Sequence, residues 1–113
     1  MTTIGKTLAP LVLAATLCSA APAFAYSSFC FTDAFPAFIF DCPTNAVPAN
    51  DPGHFVHYEI GAYGNYNVHD VNGPIVAFGI TGAYNASATI WGLYSAYYVT
   101  VSGPATWAYI NNT

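Results

Sequence analysis

His54-Phe55-Val56-His57-Tyr58-Glu59-Ile60 is the stretch on which the fold reading turns. In an extended chain Val56, Tyr58 and Ile60 fall on one side and Phe55, His57 and Glu59 on the other. One face is then apolar and the other mixed, which is the period-two pattern of a half-buried strand. An amphipathic helix would instead repeat its apolar residues at intervals of three and four.

Reading outward, the same chemistry recurs in short runs. Ile75 to Ile80 is almost wholly apolar and predicts a central strand. Ala96 to Val101 alternates Tyr97, Val99 and Val101 against Tyr98 and Thr100, while Thr106 to Ile110 places Trp107 and Tyr109 in a closing strand. Ala88 to Leu93, Phe29 to Thr32 and Ala37 to Phe40 complete the expected set. Turn residues punctuate the runs at Pro43 to Gly53, Gly61 to Asn67, Asp70 to Pro74, Gly82 to Ala86 and Ser102-Gly103-Pro104. From Tyr26 onward there is no Lys, Arg, Gln or Met, so strong helix formers are scarce. The predicted fold class is all-β: a small antiparallel β-sandwich, or a partly open barrel.

Met1 to Ala25 has the three parts of a secretory signal peptide. Lys6 supplies positive charge, Leu8 to Ala21 an apolar run, and Ala23-Phe24-Ala25 a small-x-small cleavage site. Residues 26–113 are then the expected mature chain, a single β-sandwich domain. Pro10 and Pro22 bracket the apolar run, which falls short of the ~20 residues of a bilayer span, and no later segment is a candidate. The expected location is the periplasm or the cell exterior. Cys30 and Cys42 remain after cleavage, and an even count in an exported chain predicts one disulfide. Their spacing is not the Cys-x-x-Cys of metal or redox pairs.

Charge narrows the function classes. Lys6 is the only lysine or arginine, against Asp33, Asp41, Asp51, Glu59 and Asp70, and the formal net charge is −4 at pH 7. Nucleic-acid binding needs cations to neutralise phosphates, so the expected mature chain is a poor candidate for it. A Schiff-base lysine and an arginine clamp are equally unavailable to it.

Two constellations carry possible chemistry. His54, His57, Glu59 and His69, with Asp51 and Asp70 nearby, offer imidazole and carboxylate groups suited to zinc or copper. His57 and Glu59 share a face of one strand, His54 joins them only if that strand begins after it, and His69 must arrive from another segment. Asn65, Asn67 and His69 would share a face if extended, but Asn and Gly in this stretch point first to turns. Asp70-x-Asn72-Gly73 begins like a calcium loop and lacks the distal bidentate glutamate. No serine stands in Gly-x-Ser-x-Gly, so no catalytic residue is named and no enzyme is expected. The second constellation is aromatic: the chain holds 9 Tyr, 8 Phe and 2 Trp. Trp91, Tyr94, Tyr97, Tyr98 and Trp107 are the candidate contact face, for a neutral glycan, a protein or another copy of the chain.

Gly73-Pro-Ile-Val-Ala-Phe-Gly-Ile80, then Trp91, then Ser102-Gly-Pro-Ala-Thr-Trp107, resembles small secreted bacterial β-domains of the exosortase-sorted, PEP-CTERM type. In those an apolar Phe-Gly-Val strand precedes one Trp and a closing Trp. The resemblance spans about 35 residues and implies export and a β fold. After Trp107 there is no Pro-Glu-Pro, apolar helix or basic tail, so release or periplasmic residence is expected in place of sorting. The resemblance adds no site. The reading as a whole is an exported, non-enzymatic binding or assembly module with an aromatic strand face and no cofactor. The alternative is a periplasmic zinc- or copper-binding protein.

Overall fold

Alternation along the chain becomes two layers in space. The computed structural model describes residues 26–33 and 41–113. Within them the strands are β1 Ser27–Phe31, β2 Asp41–Pro43, β3 Val47–Pro48, β4 Phe55–Ile60, β5 Asn65–Asp70, β6 Ile75–Ile80, β7 Ala86–Trp91, β8 Ala96–Ser102 and β9 Trp107–Asn111. There is no helix among the described residues. Sheet one has the order β1-β9-β4-β7, and sheet two the order β2-β8-β5-β6, with β3 also on β8. All pairings are antiparallel. The fold is therefore the predicted antiparallel β-sandwich. The signal-peptide reading and the Ala37 to Phe40 strand lie outside the described residues.

The inward positions form one core. Val56, Tyr58 and Ile60 of β4 and Ala108 and Ile110 of β9 face Val68 of β5 and Tyr97, Val99 and Val101 of β8. Burying each of the larger apolar side chains contributes roughly 1.5–3 kcal/mol. The Cys30–Cys42 disulfide is present, with Cα atoms 6.0 Å apart. It ties β1 of sheet one to β2 of sheet two at the edge where the layers would otherwise part.

Threonine and asparagine complete the ladders where strands break. Thr44, between β2 and β3, donates its N–H to the Val99 carbonyl at 2.8 Å, and its hydroxyl accepts the Val99 N–H at 2.9 Å. At the C-terminus, buried Asn112 accepts the Tyr26 N–H through Oδ1 at 2.9 Å and donates Nδ2 to the Pro48 carbonyl at 3.1 Å. Asn50 donates to the Asn112 carbonyl at 2.7 Å, which fixes the loop leading into β4.

Two expectations are corrected. Ile75–Ile80 is not central: among the described residues β6 pairs only with β5 and is an edge of sheet two, with Phe78 76% and Ile80 77% exposed. An uninterrupted apolar run mimicked a strand buried on both faces. The central place belongs to β5, whose asparagines had pointed to a turn. There Tyr66 and Val68 face the core while Asn65, Asn67 and His69 face solvent, so a period-two pattern was present beneath residues of low strand propensity. The true turn follows it. The Asp70 carboxylate accepts the Asn72 N–H at 2.8 Å, and Gly73 adopts φ 121°. That hydrogen bond holds the Asp70 carboxyl below its ordinary range, and it gives the Asp70–Gly73 stretch a local structural role.

Candidate functional site

Because Cys30 turns inward to bridge the sheets, Phe29 and Phe31 on either side of it must turn outward. They pair across the ladder with Tyr109 and Trp107 of β9. Phe29 lies 4.5 Å from Phe31, is stacked 5.5 Å from Trp107 at 12° between planes, and sits 6.0 Å from Tyr109. The indole of Trp107 rests over Gly61, where a Cβ would come within 2.6 Å of the ring. This aromatic patch occupies the β1–β9 half of sheet one, with Phe31 68% exposed.

At the other edge of the same sheet Phe55 and Trp91 are cross-strand partners with ring centroids 4.8 Å apart. Between the two ring groups runs a polar strip. His57 lies 3.1 Å from Thr89 Oγ1 through Nδ1 and 3.3 Å from Glu59 Oε2 through Nε2. Hydroxyl, imidazole and carboxylate in line is the connectivity of hydrolase triads. Here it lies on the outer face of sheet one, as a hydrogen-bonding strip between apolar rings.

The sequence-predicted residues disperse. Trp91 and Trp107 share the outer face of sheet one. Tyr94 is exposed in the loop after β7 and packs on His54 at 4.3 Å. Tyr97 is corrected: it is 3% exposed and part of the core, because β8 alternates inward at Tyr97, Val99 and Val101. Tyr98 belongs to the outer face of sheet two, stacked on His69 at 4.6 Å. The missed members of the aromatic face are Phe29, Phe31, Phe55 and Tyr109. The inward obligation of Cys30 was the available signal for the first two.

Among the metal candidates, His57 and Glu59 come together as the shared strand face required. His54 precedes β4 and has φ 56°, lining a shallow concavity of about 420 Å³ with Asn50, Asp51 and Tyr94. His69 is on the other sheet, with Nε2 2.9 Å from Thr100 Oγ1. Among the described residues no three His, Cys, Asp or Glu side chains gather into a metal-binding group. None of them includes a helix long and apolar enough to cross a membrane.

The outer face of sheet two differs. Asn65 pairs with Ser102, which pairs with Asp41; Asn67 pairs with Thr100, which pairs with Pro43. These residues line a shallow concavity of about 410 Å³. No family model, curated protein or solved structure matches the chain.

Proposed function

We propose that the chain is an exported, non-enzymatic binding or assembly module that works through the outer face of sheet one. One observation carries this reading: Phe29, Phe31, Trp107 and Tyr109 form a contacting group of rings on the solvent side of a core that is complete without them. Apolar rings gathered on a surface favour removal from water by a partner, and tyrosine and tryptophan combine stacking area with a polar tip. The absence of lysine and arginine beyond Lys6 disfavours an anionic partner, and the uncharged rings of the patch favour a neutral one. A second copy of the chain presents the same flat apolar surface.

The free edge of β6 favours a second route to assembly. Ile75–Ile80 contains no charge and no proline, and it exposes Phe78 and Ile80 beside a backbone edge that no described strand pairs. Such edges template pairing with another strand. The opposite edge of sheet two is blunted by Pro43, Pro48 and the break between β2 and β3.

Light-scattering mass of the exported chain against concentration tests both routes. The face reading expects a mass above the monomer that Phe31→Ser abolishes and Ile80→Lys leaves in place. The reverse pattern moves assembly to the β6 edge. A wild-type monomer at every concentration removes self-assembly from the proposal. The metal alternative has its own measurement, since added zinc or copper should then bind tightly and His57→Ala should abolish that binding.

A further inference from the structure

We infer that the outer face of sheet two is a binding groove for a neutral glycan chain. Its floor is made of two cross-strand rows, Asp41–Ser102–Asn65 and Pro43–Thr100–Asn67, in a concavity of about 410 Å³. That volume lies within the usual range of small-ligand sites, roughly 300–1,000 Å³. On the next strand, beside the concavity and outside its lining, Ile80 pairs with Asn65 and Phe78 with Asn67, both largely exposed.

The chemistry of this lining selects the ligand class. Each asparagine amide offers both donors and an acceptor, each hydroxyl offers one donor and acceptor sites, and the Asp41 carboxylate accepts. Sugar hydroxyls both donate and accept, so a polyol can satisfy all of them. Anionic ligands are disfavoured by Asp41 and by the absence of any lysine or arginine from the described residues. With Asp41 its only carboxylate, the lining makes a poor cation cage. Cys42, Pro43 and Val101 add apolar surface among the amides and hydroxyls, a mixture that suits the alternating C–H and hydroxyl faces of a sugar. The exposed Phe78 ring supplies a stacking surface for the C–H face of a pyranose.

A second observation points the same way. Asn is depleted in strands, yet β5 is a central strand with two asparagines on its solvent face. No hydrogen bond to a described residue engages either amide, whereas neighbouring Thr100 is held by His69 at 2.9 Å. Threonine at both positions would serve the strand better. Residues that break a local rule without structural gain are expected where function requires them.

The experiment is native affinity electrophoresis of the full exported chain in gels containing hydroxyethyl cellulose, xylan, galactomannan or dextran, with alginate as the anionic comparison. At least one neutral gel should retard the wild type, and alginate should not. Asn65→Ala and Asn67→Ala should each weaken retardation about fivefold to tenfold, the effect of one or two lost hydrogen bonds. Asn67→Thr, which suits the strand, should weaken it similarly while melting no earlier than wild type. No retardation by any neutral polysaccharide overturns the inference, as does full retardation of both asparagine variants. If Trp107→Ala abolishes retardation and Asn67→Ala does not, glycan binding belongs to sheet one and the groove falls while the aromatic-face reading survives.

Discussion

The two outer faces of the sandwich follow the same alternation and differ in chemistry. Sheet one gathers Phe29, Phe31, Phe55, Trp91, Trp107 and Tyr109 on either side of the His57–Glu59–Thr89 strip, whereas sheet two turns out Asn65, Asn67, Thr100 and Ser102 between Tyr98 on one strand and Phe78 and Ile80 on another. Beneath them the inner faces are alike: Val56, Ile60 and Ile110 on one side, Val68, Val99 and Val101 on the other. Burial constrains the inner positions to similar residues. It does not ask for rings outside one sheet or amides outside the other, so the outer difference is the part that folding leaves unexplained and function can use.

The strongest way to break the comparison is to remove the core both faces share. Ile60 is fully buried, and Ile60→Ala should cost about 3–4 kcal/mol from lost burial and the cavity left behind. Urea melts would read the loss, and self-association and glycan retardation should decline together. Next comes the bridge between the sheets. Replacing Cys30 and Cys42 together with serine frees a closed loop with a sequence separation of 12. The chain-entropy account expects a loss of about 3 kcal/mol. Cys30 lies between Phe29 and Phe31 of the aromatic face, and Cys42 between Asp41 and Pro43 of the groove, so the change should weaken both faces. Loss on one face alone would mean that ladder pairing by itself holds the strand of the other.

Tyr58 of sheet one and Tyr66 of sheet two meet across the sandwich, with ring centroids 5.5 Å apart. Burial, with a hydrogen bond to Tyr66, pushes the Tyr58 hydroxyl up to about 12. The folded value is above the unfolded one, so the associated stability is full below pH 10 and is lost as pH rises towards 12. The loss should be on the order of 2 kcal/mol. Thermal melts should fall over that window in the wild type and fall less in Tyr58→Phe. An identical decline in both would remove the tyrosine link as its cause.

Much of this architecture was legible in the sequence because alternation is a local signal. The stretch around Val56, Tyr58 and Ile60 and the stretch around Tyr97, Val99 and Val101 showed their buried faces directly, and the cysteine count gave the bridge. What stayed hidden depended on neighbours. Nothing within Ile75–Ile80 says whether a second strand lies beside it, so an apolar edge read as a centre. The asparagines of β5 read as turn residues because their strand role depends on β6 and β8 pairing on either side. The contact face was only half legible: Trp91 and Trp107 are outside, but Tyr97 is inside, since tyrosine is common on both faces of a strand and only register decides which.

Gly61→Ala gives the smallest expected effect on stability and the sharpest separation of the two faces. The backbone at Gly61 tolerates a side chain, since its conformation lies outside the left-handed region. A Cβ would nevertheless come within 2.6 Å of the Trp107 ring, and the half-exposed indole has room to swing outward. Overpacking of this kind should cost about 1 kcal/mol, the low end of its range, because the clash is with a movable side chain. Trp107 would leave its stack with Phe29, so tryptophan emission should shift to the red and self-association through sheet one should weaken. Sheet two contains neither residue, and its retardation by a neutral polysaccharide should be unchanged. If one added methyl group disturbs both faces equally, the faces are coupled through the core, and treating them as separate surfaces fails.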